Sequence, residues 1–313
     1  MTKGIFTISL DFEKFWGVAG SKTIENYGQN ILNVEEVVDR LLVLFKKYEI
    51  NVTWAFVGFL AYKNFDMVKK AINFELPKYK NQNQSTYTLL NKEDISKYLF
   101  LSGNQIENIK ECKGQELASH SFSHIYCEEE GVTVNDFIND VKAFETVANN
   151  VGFTATSFVF PRNQVTKDCV NVLAQNSYSS YRGKEESYGF TGNGLTHKIY
   201  RQLNLVLNIS GHNTFKIKPE KILNIKGSSF LHPVSVKIKS LNYLRRRRII
   251  NAMSYAAQKN EVYHLWWHPH NFGVNMESNL ENLELILKHY TYLNFKYGYT
   301  SMNMGQIATL VNK

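Results

Sequence analysis

The run Ile5-Phe6-Thr7-Ile8-Ser9-Leu10 has the branched and aromatic character of a buried strand. Downstream, Val34–Tyr48 gathers Val34, Val37, Val38, Leu41, Leu42 and Phe45 on one face, the period of an amphipathic helix. Asn51–Val57 returns to strand character. Further strands are predicted at Glu116–Ser119, Ser157–Phe160, Tyr178–Arg182, Ser228–Leu231 and Val262–Trp267. Helical periods fall between them at Val134–Val151, Thr166–Gln175 and Leu244–Lys259. A late helix, Leu280–Phe295, precedes a short strand at Tyr299–Met302. Such alternation predicts an α/β fold, a closed or distorted barrel of (β/α)7 type rather than an open sheet. No internal repeat or linker divides residues 1–313, so a single domain is expected.

Two regions interrupt the alternation. Ala61–Cys112 contains the polar stretch Asn81-Gln82-Asn83-Gln84-Ser85-Thr86, and Gly183–Lys226 contains several glycines. Both are predicted insertions over the C-terminal face, where barrel enzymes place substrate-selecting loops.

Composition narrows the class. With 43% hydrophobic residues over 313 positions, the chain can build a sizeable core. No apolar run approaches the ~18–20 residues of a membrane span. Lys3 leads straight into the first strand, without the apolar region and cleavage site of a signal peptide, so a cytoplasmic location is expected. Three cysteines, Cys112, Cys127 and Cys169, have no metal-type spacing and read as reduced, packed thiols. A formal charge of +8 favours anionic partners. No nucleic-acid recognition motif accompanies it, so nucleic acid is not expected. The run Arg245-Arg246-Arg247-Arg248 reads either as a solvated helix start or as a contact to phosphate or to an anionic membrane.

Candidate chemistry clusters at strand ends. Asp11, His120, Pro161-Arg162, His232 and His268 each follow a predicted strand, the position where barrel active sites assemble. His120-Ser121-Phe122-Ser123-His124 supplies two imidazoles, and Asp11-Phe12-Glu13 supplies two carboxylates. Two imidazoles and one acid make a facial divalent-metal site with positions left open. The remaining acid is free to move a proton. Zn²⁺ is the default ion for this donor set, and Fe²⁺, Mn²⁺, Co²⁺ or Ni²⁺ also fit. The spacing of the His pair alone is a weak signal; its place after a strand strengthens it.

A rival cluster lies in Tyr263-His264-Leu265-Trp266-Trp267-His268-Pro269-His270. On a strand His264 and His268 face the same way, and with His270 they could hold a metal of their own. No carboxylate is evident nearby in sequence, which ranks this second. His264 reads as a hydrogen-bonded core residue, and Trp266 and Trp267 as barrel packing or a sugar-stacking surface. His212 and His232 divide evenly between pocket and loop or core roles.

Four strings in order resemble the polysaccharide deacetylase (NodB-homology) family. They are Ser9-Leu10-Asp11-Phe12-Glu13, His120-Ser121-Phe122-Ser123-His124, Phe160-Pro161-Arg162-Asn163-Gln164 and Leu265-Trp266-Trp267-His268. With Ser210-Gly211-His212-Asn213-Thr214 and Trp267-His268-Pro269-His270-Asn271-Phe272-Gly273, they are similar to the branch found in bacterial surface-polysaccharide loci, such as those for O-antigen. The resemblance implies a distorted barrel, a metal held by Glu13, His120 and His124, Asp11 as base, His268 as acid, and Arg162 holding Asp11 ionised. Two departures stand out: Asp-Phe-Glu replaces adjacent aspartates, and no aspartate near Tyr178–Arg182 is available to orient His268.

The activity so implied is metal-dependent N-deacylation, acetyl before formyl, of an amino sugar in surface-polysaccharide or glycolipid synthesis. A nucleotide- or lipid-phosphate-linked substrate, peripheral contact with the inner membrane face and no organic cofactor are expected with it. The alternatives are hydrolysis of a non-sugar C–N bond, such as an imide or ureide, and an inactive glycan- or phosphate-binding relative.

Overall fold

The computed structural model describes residues 3–91, 96–183 and 194–312. Its strands are β1 (Ile5–Phe12), β2 (Val52–Phe56), β3 (Gln115–Ser119), β4 (Ser157–Val159), β5 (Ser180–Arg182), β6 (Leu223–Asn224), β7 (Ser229–Phe230), β8 (Val262–Trp267) and β9 (Thr300–Ser301). They form one parallel sheet in the order β6-β5-β4-β3-β2-β1-β8-β7, with β9 pairing the start of β1. Among the described residues β6 and β7 do not pair, so the barrel is distorted and stays open at that seam.

The helices are α1 (Ile24–Leu32), α2 (Val34–Lys47), α3 (Phe65–Ala71), α4 (Gly103–Glu111), α5 (Val134–Val151), α6 (Lys167–Ala174), α7 (Leu195–Leu207), α8 (Lys239–Lys259), α9 (Met276–Tyr297) and α10 (Met304–Val311). Val34, Val37, Val38, Leu41 and Phe45 of α2 are buried, the face expected from their spacing. Thr133 caps α5 by accepting from Asp136 N–H, and Gly152 ends it at φ 85°. Helix α8 starts at Lys239, ahead of the predicted Leu244, so the arginine run lies inside the helix and not at its start.

Alternation along the parallel strands decides what faces the barrel axis. Ile5, Ala55, Ala118, Val159, Leu223 and Val262 form one small apolar cluster with Met304 and Ile307 of α10. This cluster plugs the N-terminal end. The opposite face of β1, with Phe6, Ile8, Leu10 and Phe12, joins the larger core under the helices. Stepping by two from the plug gives Thr7, Ser9 and Asp11 on β1, His120 beyond β3, and His264, Trp266 and His268 along β8; Arg182 at the end of β5 joins them by its bond to Asp11. The sheet therefore delivers polar groups to the C-terminal mouth on every second residue.

The two insertions have distinct roles. Ala61–Cys112 holds α3, α4 and short 3-10 turns. It buttresses the mouth: Trp16 Nε1 donates to Phe100 O at 2.8 Å, Thr86 Oγ1 to Ser123 O at 2.6 Å, and Tyr126 N to Tyr79 Oη at 3.1 Å. Of the Gly183–Lys226 region, residues 184–193 lie outside the described residues. The remainder contributes α7, packed on α8, and β6, a strand the sequence pattern did not predict.

Candidate metal centre

Glu13 stands one residue beyond β1, where the chain leaves the sheet through Lys14 at φ 46°. Trp16 N–H donates to Glu13 O, and the buried Lys14 ammonium reaches Glu35 and Leu101 O. These contacts fold the Glu13 side chain back over Gly17. A methyl at position 17 would overlap the Glu13 carboxylate.

The His loop leaves β3 under backbone strain, with Ser121 at φ 63° and His124 at φ 62°. Asp140 of α5 holds it. Its carboxylate accepts from Phe122 N (2.7 Å), Ser123 N (3.0 Å) and Ser123 Oγ (2.6 Å). Ser121 O and Phe122 O accept from the backbone N–H groups of Gly58 and Phe59. A Cβ at Gly58 would press on the Phe122 backbone, so glycine permits this close approach. Burial pushes the Asp140 carboxyl up to about 6.

The strands and loops converge on the Glu13 carboxylate. Its Oε2 lies 3.2 Å from His120 Nε2 and 3.0 Å from His124 Nε2. Its Oε1 lies 3.2 Å from His270 Nε2 and 3.6 Å from His268 Nε2. Two groupings with metal-ligand geometry result, Glu13–His120–His124 and Glu13–His268–His270. The carboxylate partner that the second His cluster lacked in sequence is therefore Glu13, supplied from the neighbouring strand β1. His264 does not join either group. It is fully buried, donates from Nδ1 toward Ile225 O and Lys226 O, and meets Ser9 Oγ at 2.8 Å through Nε2. Burial, reinforced by the Arg182 charge, brings it down to about 3.

Each imidazole of the first group is oriented by its second nitrogen. His120 Nδ1–H donates to Val159 O at 2.8 Å, and His124 Nδ1 meets Tyr126 Oη at 3.1 Å. His124 and His270 are both shifted down, chiefly by burial. Burial alone would raise Glu13; the His268 charge and hydrogen bonds from His120, His124 and His270 bring it well below the usual carboxylate range.

Asp11 corrects one expectation. Its guanidinium partner is Arg182, not Arg162: Nη1 and Nη2 donate to Oδ1 at 2.6 Å and Oδ2 at 2.7 Å. Arg182 ends β5 on the inward face, with its guanidinium over the Trp266 ring at 4.2 Å. Arg162 sits in a 3-10 turn at φ 51°, which turns it outward onto the Tyr126 ring at 4.1 Å. The Pro-Arg-Asn string reaches Asp11 only indirectly, because Asn163 Oδ1 accepts from Arg182 Nη2 at 3.3 Å. Burial raises Asp11, yet Arg182, helped by His120 and His268, holds it below its ordinary value. The C-terminal position of Arg182 on a predicted strand, two residues past Ser180, was the available signal for its inward aim.

His268 closes the mouth. Its Nε2 lies 3.7 Å from Asp11 Oδ2, and its side chain is 22% exposed. Asn271 Oδ1 accepts from both His268 Nδ1 (3.2 Å) and His268 N (3.3 Å), so an amide takes the orienting place that no aspartate fills. Trp267 packs into the core against Phe45 and Phe272, whereas Trp266 lines the mouth. His212 stacks on Tyr255, in the loop that follows α7. Arg245, Arg246 and Arg248 are half-buried around His232, and only Arg247 of the run is exposed, so the run is not a solvated surface. The three cysteines are free. Among the described residues no helix is long and apolar enough to cross a membrane.

No family model and no curated protein matches the chain. Among solved structures, a candidate polysaccharide deacetylase from Mycobacterium smegmatis superposes with a TM-score of 0.62 at 11% identity, covering 99% of this chain and 91% of that one. Puue allantoinase superposes with a TM-score of 0.54 at 9% identity, covering 97% and 89%. These likenesses show the fold, and the assignment of chemistry rests on the residues described above.

Proposed function

We propose that this chain belongs to the polysaccharide deacetylase (NodB-homology) family and is a metal-dependent N-deacylase of an amino sugar, acetyl before formyl. The observation that carries the reading is the facing of His120 Nε2 and Glu13 Oε2. Because His120 Nδ1–H is committed to the Val159 carbonyl, a neutral ring turns a lone pair toward a carboxylate oxygen 3.2 Å away. His124 Nε2 meets the same oxygen at 3.0 Å. One proton can satisfy only one such pair, whereas a divalent cation satisfies all three donors together. Two nitrogens and a carboxylate suit Zn²⁺ first among the candidates.

When bound, such a cation supplies a Lewis acid for the scissile carbonyl and acidifies water. Asp11, kept ionised by Arg182, takes the proton from the attacking water. His268 gives a proton to the departing amine, which an amide requires because an amide anion is a very poor leaving group. Asn271 holds the ring for that transfer, and Trp266 offers a flat wall against which a sugar can lie. The substrate we infer is an amino sugar of surface-polysaccharide or glycolipid synthesis, linked to a nucleotide or to a lipid phosphate. Three free thiols support a reducing, cytoplasmic setting.

A second reading, hydrolysis of a cyclic imide or ureide, draws support from the likeness to Puue allantoinase and from the additional pair His268 and His270 on Glu13. Acylate release from a panel of carrier-linked N-acyl amino sugars, run beside hydantoin-type substrates, separates the two. Metal analysis of the wild type and of His120→Ala accompanies it. One ion per chain that is lost in the variant, with acetate or formate released, is the expected result. A metal-free protein that hydrolyses only the imides would overturn the first reading, and no turnover with either class would favour an inactive relative.

A further inference from the structure

The arginine run lines a narrow cleft behind β7, with an enclosed space of about 20 Å³. Helical spacing puts Arg245 and Arg248 on one face of α8, turned toward His232 at the end of β7. Among the described residues, no carboxylate lines this pocket. Arg246 is anchored to Asn282 Oδ1 at 2.8 Å, and Arg248 reaches Ser210 Oγ at 3.3 Å. Arg245 finds no hydrogen-bond acceptor among the described residues, and the Nε atoms of both Arg245 and Arg248 are buried without a partner. Half-buried guanidinium groups left with open donors and no counter-charge are costly unless an anion completes them.

The pocket is placed to serve the metal centre. The Phe230 ring stands 4.8 Å from the His232 ring and 5.6 Å from the His268 ring, so a single aromatic side chain separates the arginines from the acid. Burial, together with Arg245 and Arg248, lowers His232 to about 4, as expected beside surplus positive charge.

We propose that Arg245, Arg248 and His232 form a binding site for the phosphate of the substrate's carrier, holding it while the N-acyl group lies at Glu13. This deepens the N-deacylase reading and rests on it for the sugar, but the phosphate site can be tested without turnover. The shared ligand chemistry is a diphosphate ester, from either a nucleotide or a lipid.

Isothermal titration of the full chain with uridine diphosphate and with farnesyl diphosphate tests the site. The expected result is binding of at least one, weakened about ten- to a hundredfold in Arg245→Gln or Arg248→Gln. Arg245→Lys, which keeps charge and bulk, should fall between, because an ammonium cannot present the guanidinium fork. The exposed Arg247→Gln should bind as the wild type does. His120→Ala should also retain binding, so failure of the metal reading leaves this result standing. The tighter of the two probes names the carrier. The site is overturned if neither probe binds the wild type, or if Arg247→Gln loses as much affinity as Arg245→Gln. It also falls if His120→Ala abolishes binding that Arg245→Gln retains, since the anion would then sit at the metal centre.

Discussion

Arg182 grips both carboxylate oxygens of Asp11, at 2.6 and 2.7 Å, and both side chains are almost wholly buried. A buried ion pair of this kind is strongly destabilised when one partner is removed. Arg182→Ala should cost about 3–5 kcal/mol of stability, because it leaves a buried charge alone. It should also act on chemistry. Burial pushes Asp11 up, and Arg182 with His120 and His268 together brings it below its ordinary value, so removing Arg182 lets burial raise it. The acid limb of the pH–rate profile should then move upward, with activity at neutral pH falling about 10²–10⁴-fold, the size of a lost general base. Asp11→Asn should lose the same factor with no pH limb to move. An acid limb that stays in place in Arg182→Ala would refute this role.

Gly17 is a second point of control. Its Cα lies under the Glu13 carboxylate, and a methyl there would occupy the carboxylate's place. Gly17→Ala should swing Glu13 away from His120 and His124 while leaving the barrel folded. Metal affinity is the readout, with a loss of at least the ~10–100-fold typical of disturbed ligand support. Unchanged affinity in equilibrium dialysis would show that Glu13 adapts and that the overlap is relieved elsewhere.

Asp140 holds the strained His loop from α5. Asp140→Ala removes the acceptor for Phe122 N–H, Ser123 N–H and the Ser123 hydroxyl. Leaving buried donors unsatisfied costs about 1–3 kcal/mol each. Chemical unfolding should therefore report a loss of several kcal/mol, with weaker metal binding beyond that expected of a distant core variant. Wild-type metal affinity in a merely destabilised variant would restrict Asp140 to a packing role.

His264 sets a pH dependence of stability. Its ordinary value of 6.5 falls to about 3 in the folded chain. Between these values the unfolded chain binds a proton that the folded chain refuses, so stability is full above pH 6.5 and declines as pH falls toward 3. The slope from this one group is up to about 1.4 kcal/mol per pH unit. His264→Gln can still reach Ser9 but takes up no proton. Urea unfolding should show a shallower acid slope in the variant; parallel slopes would mean that His264 is not the responsible group.

Much of the site was legible because strand parity is a local property. Residues 9, 11 and 13, residues 116, 118 and 120, and residues 264, 266 and 268 follow the two-residue period, and a short buried strand has one way to face the axis. The His pair and the two acids were readable on that basis, as was the alternation of strands and helices. The short strand β6 was not, because it falls inside the segment read as an insertion, whereas β9 falls within the predicted Tyr299–Met302.

What the chain by itself determined was the set of inward-facing groups on each strand and the apolar stripes that pack the helices over the sheet. Which of those groups meet was decided by tertiary structure, because it depends on neighbouring strands and on turns with no periodic signal. Arg162 and Arg182 are equivalent in sequence as strand-end arginines. A left-handed turn sends the first outward to Tyr126, while the sheet carries the second to Asp11. In the same way His270 gains its carboxylate from Glu13, distant in sequence, because β8 lies beside β1 and sets the two strand ends side by side.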